Sequence, residues 1–253
     1  MKEPGLSDTL ARIDSKKAFI DSHRPLRGAV LRKLKEYIEV EWTYTTNAIE
    51  GSTITRQETL VILKHGLTVR GKPLVEHLEV INHKSAIDFV EGLARGSDPI
   101  TELEIRQIHS LILRGIDDEN AGRYRTQQVY ISGSKYIPPE PADVPARMRE
   151  LSIWLNGAGQ AVHPVERAAL AHFELALIHP FVDGTGRTAR LLMNLILMRD
   201  GYPIAIVRPE DRLEYYDALE RAGVGEREDF ILFIAEAVDR MADMYLKSIP
   251  AGQ

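Results

Sequence analysis

The chemistry of this chain gathers in twelve residues, His179-Pro180-Phe181-Val182-Asp183-Gly184-Thr185-Gly186-Arg187-Thr188-Ala189-Arg190. His179 is the member suited to taking a proton near neutral pH. Asp183 can hold a hard cation such as Mg²⁺, which usually keeps waters and substrate phosphates as its other ligands. Gly184 and Gly186 flank Thr185, so the backbone can turn tightly and aim its N–H groups at an anion. A helix starting there adds its positive end, and Arg187 and Arg190 add guanidinium forks that match phosphate. A glycine-rich turn alone is more often just a turn. With a base, a cation ligand and two arginines around it, the stretch reads as a nucleotide-phosphate site.

Helices must hold that stretch. Before it, His163-Pro164 opens a helix in which Val165, Ala169, Phe173 and Leu177 recur every four residues. After it, Leu191–Met198 is apolar on nearly all sides, which predicts a central, buried helix stopped by Asp200-Gly201-Tyr202-Pro203. Upstream, residues 1–25 read as an arm with one marginal helix. A helix over Leu26–Ile49 places Leu26, Val30, Leu34, Tyr37 and Ile38 on one face and ends at Gly51. Thr55-Arg56-Gln57-Glu58 and Thr101-Glu102-Leu103-Glu104 read as capping boxes, each opening a helix. Between them, Leu74–Leu93 is helical, with Leu78, Ile81, Ala86, Phe89 and Val90 available for burial. Gln128–Ile131 and Lys135–Ile137 around Ser132-Gly133-Ser134 read as one short β-hairpin, which must lie against something to persist. Asp143 is expected to cap a helix carrying Val144, Met148, Leu151 and Leu155. Two closing helices, about 210–222 and 227–248, follow the extended Ile204–Val207 segment. The expected fold class is all-α, one domain with a small β flap.

With 253 residues the chain can bury a full core. A net charge of −5 leaves no basic footprint, so no nucleic-acid partner is expected. The absence of cysteine removes disulfide and thiolate chemistry and suits a reducing compartment. No apolar run approaches membrane-spanning length, and the N-terminus has no signal-peptide pattern. A cytoplasmic protein is the expectation. His77, His83, His109 and His172 show no zinc spacing and read as core or surface histidines.

The twelve-residue stretch resembles the signature of the Fic family, HxFx(D/E)GNGRxxR. Every fixed position matches except Thr185, where the family has Asn. Ala121-Gly122-Arg123-Tyr124-Arg125, the hairpin, Pro138-Pro139 and Leu191-Leu192-Met193-Asn194 also resemble Fic segments in the expected order. The resemblance implies a protein adenylyltransferase that moves AMP from ATP to a hydroxyl of a target protein. In it His179 is the base, and Asp183 binds Mg²⁺. Gly184, Thr185, Gly186 and the loop N–H groups form the anion hole, and Arg187 holds the phosphates. Tyr216 falls near the adenine, whereas Gly223 stands where relatives often have Asn. Val129 and Ile131 belong to a flap that registers the target by strand addition. Arg123 and Arg125 read equally well as loop anchors.

Thr46-Asn47-Ala48-Ile49-Glu50-Gly51 matches the family's inhibitory pattern (S/T)xxxE(G/N). The resemblance implies that Glu50, with Thr46 and Gly51 completing the motif, pairs with Arg190 and takes it from the γ-phosphate. It also implies a domain at 26–253, with the inhibitory helix at about 26–50, the flap at about 127–137 and closing helices at about 210–248. Other readings are AMP removal, transfer of another nucleotide or phosphoryl group, and a Fic-fold binding module weakened by Thr185. Relatives of this kind often form dimers, and the exposed face of Leu74–Leu93 is a candidate homodimer surface.

Overall fold

The computed structural model describes residues 5–24, 29–131 and 133–249. The expected helix start at Leu26, the Val30 side chain and the turn residue Ser132 lie outside the described residues. Among the described residues, ten α-helices follow in order: α1 Leu6–Ser22, α2 Ala29–Ile49, α3 Arg56–His65, α4 Leu74–Ala94, α5 Glu102–Leu113, α6 Val144–Asn156, α7 Pro164–Ile178, α8 Thr185–Arg199, α9 Arg212–Gly223 and α10 Arg227–Ser248. No strand occurs among the described residues. The fold is all-α.

Helix α8 lies at the centre. Every residue from Arg187 to Leu197 is buried, with α7, α4, α5 and α2 packed around it. Its all-round apolar sequence needs that surround, because each face it turns outward meets another helix. Asn194 is the polar exception. Its side chain donates to the Ala205 carbonyl at 3.0 Å and accepts from the Ala205 N–H at 2.8 Å, fixing the extended Ile204–Val207 segment. Both capping boxes form: Thr55 with Glu58 opens α3, and Thr101 with Glu104 opens α5. His163 caps α7, its ring accepting from the Val165 N–H at 3.2 Å.

Four expectations need correction. Asp143 makes no capping bond; the short 3₁₀ turn Pro141–Asp143 leads into α6 instead. On α4 the core face is Val80, His83, Ala86, Ile87 and Val90, while Ile81 is 46% exposed. On α2, Tyr37 faces outward with the Arg56 guanidinium over its ring at 4.7 Å. The β-hairpin does not form. On its returning arm the Lys135 N–H goes to Glu220 and the Tyr136 N–H to the Ser134 hydroxyl, and Pro138 and Pro139 have no N–H to give. On the outgoing arm Gln128 donates its side-chain amide to the Pro138 carbonyl at 2.9 Å. Side chains take the bonds that a ladder would have used.

The N-terminal stretch also differs in extent from one marginal helix. α1 runs 17 residues and buries Thr9, Ile13 and Ile20, packing along α10. Arg12 pairs with Asp239 at 2.9 Å, and Lys16 with Asp239 at 2.7 Å and Asp243 at 2.6 Å. No helix among the described residues is long and apolar enough to cross a membrane.

Candidate functional site

The site is the turn from α7 into α8. His179 ends α7 with φ 45° and ψ 59°, the one non-glycine residue at positive φ among the described residues. Its N–H donates to the Leu175 carbonyl at 3.1 Å, so the left-handed conformation closes the helix and throws the imidazole into the turn. Such a conformation costs of order 1 kcal/mol for a non-glycine residue and persists where the surroundings enforce it. Arg125 supplies that enforcement, donating to the His179 carbonyl at 2.8 Å, while its own N–H bonds the Pro180 carbonyl at 2.9 Å.

Burial pushes the His179 pKa below its ordinary 6.5, outweighing the Ala176 carbonyl, Glu50 and Asp183, which favour the charged form. The ring is therefore neutral at pH 7, with one nitrogen a donor and the other able to accept a proton.

Asp183 presents a carboxylate that is 65% exposed. One oxygen accepts the Gly184 N–H at 2.6 Å and the other accepts Arg187 Nη2 at 3.1 Å. Each keeps a free lone pair toward solvent. Among the described residues no group of three or more His, Asp or Glu forms a metal cage. The donor set therefore fits a cation held by one carboxylate, with its remaining ligands brought by phosphates and water.

The loop is held from below by His109 of α5. Its Nε2 donates to the Asp183 carbonyl at 2.9 Å, and its Nδ1 accepts the Gly122 N–H at 2.9 Å. The ring stacks on Phe181 with centroids 3.6 Å apart. Burial lowers its pKa to about 4, so the ring is neutral with its tautomer fixed by two partners. Gly184 sits directly over it at φ 75°, and a Cβ there would meet the ring at 3.3 Å.

The two arginines are buried, each only 3% exposed. Arg187 is tied to Glu79 of α4 at 2.9 Å as well as to Asp183. Arg190 faces α2: Nε donates to Thr46 Oγ1 at 2.7 Å, and Nη2 to the Thr46 carbonyl at 3.2 Å and to Glu50 Oε1 at 2.6 Å. Burial works against the Arg190 charge, but the Glu50 carboxylate prevails and raises its pKa. Glu50 also lies against the start of α8, since a Cβ on Gly186 would meet Glu50 Oε1 at 2.6 Å. A carboxylate thus rests at the helix N-terminus, where an anion is favoured. Gly51 follows at φ 100° and ends the α2 turn.

Thr185 is only 2% exposed, and its hydroxyl donates back to the Phe181 carbonyl at 3.4 Å. It is engaged inside the turn. Tyr216 stands apart on α9, 39% exposed, with Arg212 over its ring at 5.6 Å. Val129 and Ile131 are half-buried in the irregular segment that follows Arg125. Sequence spacing gave no signal for Glu79, and His109 was read as an ordinary core or surface histidine. Both act through tertiary contact with the turn.

A family model described as the Fic/DOC family matches residues 99–197. Protein adenylyltransferase Fic of Nematostella vectensis is 39% identical over 95% of this chain and 56% of its own length. Its counterpart in Drosophila melanogaster is 38% identical over 94% of this chain and 48% of its own. The chain spans about half the length of these curated relatives. Among solved structures, Fic-1 (aa134–508) from C. elegans superposes with a TM-score of 0.86 at 33% identity, covering 96% of this chain and 72% of that one. A Fic-domain signalling protein from Bacteroides thetaiotaomicron gives 0.87 at 28% identity, covering 95% and 97%.

Proposed function

This chain belongs to the Fic/DOC family, and from that membership and its site geometry we propose that it is a protein adenylyltransferase held in check by Glu50. The observation that carries the reading is the position of the Glu50 carboxylate, bonded to Arg190 and resting over Gly186. The two features that most favour a terminal phosphate, a buried guanidinium and a helix N-terminus, are taken by one side chain.

The reaction assigned to the site is transfer of AMP from ATP. His179 takes the proton from a Ser, Thr or Tyr hydroxyl of a target protein. The hydroxyl oxygen forms a bond to the α-phosphorus, the bond to the bridging oxygen breaks, and pyrophosphate leaves. The Gly184–Arg187 backbone faces the α-phosphate oxygens as their charge grows, with N–H donors fixed before the reaction begins. Asp183 is the residue that would hold Mg²⁺, and the ion would supply neutralisation of phosphate charge. Arg187 orients the Asp183 carboxylate through the 3.1 Å bond. Tyr216 offers a ring face for the adenine, and Val129 and Ile131 meet the target. On α4, Leu74, Val75 and Ile81 are exposed, a surface suited to a homodimer that sedimentation velocity would reveal.

The test uses α-labelled ATP and Mg²⁺ with wild type, Glu50→Gly and Glu50→Gly/His179→Ala. Glu50→Gly is expected to label itself or lysate proteins at least tenfold more strongly than wild type, and the double variant is expected to be silent. Equal labelling by wild type and Glu50→Gly would remove the restraint from the reading. Labelling that survives His179→Ala would remove the base.

A further inference from the structure

Among the described residues, the segment between Arg125 and Pro141 holds neither helix nor strand, yet it is anchored at two places. At its base, Arg125 donates to the Gln127 carbonyl at 3.1 Å and to the Pro139 carbonyl, joining the two arms. At its tip, the Glu220 carboxylate of α9 collects two donors. The Ser134 hydroxyl bonds one oxygen and the Lys135 N–H bonds the other at 2.8 Å, while the Tyr136 N–H donates to the Ser134 hydroxyl at 3.0 Å. Gly133, at φ 82°, turns the chain, and Ser134 N closes the turn on the Ile131 carbonyl at 3.1 Å. The turn thus presents one hydroxyl and one backbone N–H to a single carboxylate. The same donors, the Ser134 hydroxyl first, hold Glu220 below the usual carboxylate range.

Between the anchors lie Val129, Tyr130 and Ile131. Tyr130 is 77% exposed, and its backbone makes no hydrogen bond to backbone among the described residues. The N–H groups of Val129, Tyr130 and Ile131 have no hydrogen-bond partner among the described residues, and a segment held at both ends with open N–H groups is what a target strand needs for pairing. Glu220 lies one helical turn beyond Tyr216 on the same face of α9.

We propose that Glu220 is a positioning residue for protein targets: by gripping Ser134 and Lys135 it holds 129–131 in place with their N–H groups open to a target strand. The proposal rests on the transferase reading and on target docking at Val129 and Ile131. Its effect is to order the segment before the target arrives, so that the target does not bear that entropy cost on binding.

The experiment uses the full chain in the Glu50→Gly background, with Glu220→Ala and, separately, Ser134→Ala. Hydrogen exchange at the Lys135 and Tyr136 amides and trypsin cleavage after Lys135 are expected to quicken at least tenfold in Glu220→Ala, and less in Ser134→Ala. With α-labelled ATP, protein label formed per AMP released to water is expected to fall at least tenfold, and to recover as acceptor protein is raised. Unchanged exchange overturns the clamp. Faster exchange with an unchanged ratio of label to AMP overturns the positioning role. A parent that neither labels protein nor releases AMP defeats the transferase reading instead, and the exchange rates still decide whether the clamp exists.

Discussion

Arg187 and Arg190 leave α8 three residues apart and are equally buried, but they are held by different parts of the molecule. Arg187 turns to α4, where Glu79 is 18% exposed, and to Asp183 of its own loop. Arg190 turns to the end of α2, where Glu50 is 33% exposed and the next residue is a glycine in a turn. Both seats leave polar atoms unmet: Arg187 Nε has no partner, and on α2 Asn47 is 3% exposed with neither atom of its amide bonded to protein, at a cost on the order of 1–3 kcal/mol per unmet group. One arginine is fixed by the core and bonds the Asp183 carboxylate. The other is held by a more exposed carboxylate at a helix end, the contact on which the proposed restraint rests.

That contrast can be broken by variants on each side. The largest effect is expected for Glu79→Ala, which leaves the Arg187 charge buried with only Asp183 beside it. A stability loss of about 4 kcal/mol in urea unfolding follows, and a loss below about 1 kcal/mol would show that Arg187 is no better seated than Arg190.

Acid tests the same side through His109. Its folded pKa of about 4 lies below the ordinary 6.5, so the unfolded chain binds the proton more readily. The contribution of the neutral ring is present above pH 6.5 and is lost as pH falls toward 4, by roughly 3 kcal/mol at most. Burial lowers His83 and His172 to about 3 each, so they steepen the trend in the same direction. Melting temperature should drop between pH 6.5 and 4, and His109→Gln should flatten part of that slope. An unaltered slope in the variant would remove His109 as the source.

Glu50→Gly takes the carboxylate from a buried Arg190, so it should also cost stability, by about 3 kcal/mol, less than Glu79→Ala because Glu50 is the more exposed partner and Thr46 still bonds Arg190. Its signature is activity: at least tenfold more transfer despite that loss. If it unfolds the chain as readily as Glu79→Ala does, the distinction between the two arginines fails.

The smallest effect is expected for Thr185→Asn. The hydroxyl bond to Phe181 is long at 3.4 Å, so its loss should change stability by less than about 1 kcal/mol. The amide adds a donor of greater reach, and labelling from ATP should rise a few-fold in the Glu50→Gly background. A fall in labelling would mean that this loop is shaped around the threonine.

Much of this molecule was legible from local pattern. Thr55 with Glu58 and Thr101 with Glu104 are three residues apart, and their bonds are made within one helical turn. The Leu191–Leu197 run announced a central helix because an all-apolar surface has to be covered. The His179–Arg190 motif marked the site because its members are neighbours in the chain. The hairpin misled because strand propensity describes Val129–Ile131 correctly but says nothing of where Lys135 and Tyr136 send their N–H groups. Those go to Glu220 and Ser134, and Glu220 lies 85 residues beyond Lys135.

The sequence by itself therefore determined the helical class, the caps, the turn and the chemical types gathered in it. It also supplied Glu50, through a short motif. Tertiary structure alone decided what each charged group is spent on: Glu79 on Arg187, His109 on the Asp183 carbonyl, Glu220 on the loop tip. The reason is physical. Helix formation and capping depend on groups within about four residues, which spacing records. A buried charge or a free N–H takes whichever partner packing brings within about 3 Å, and that choice carries no periodicity along the chain.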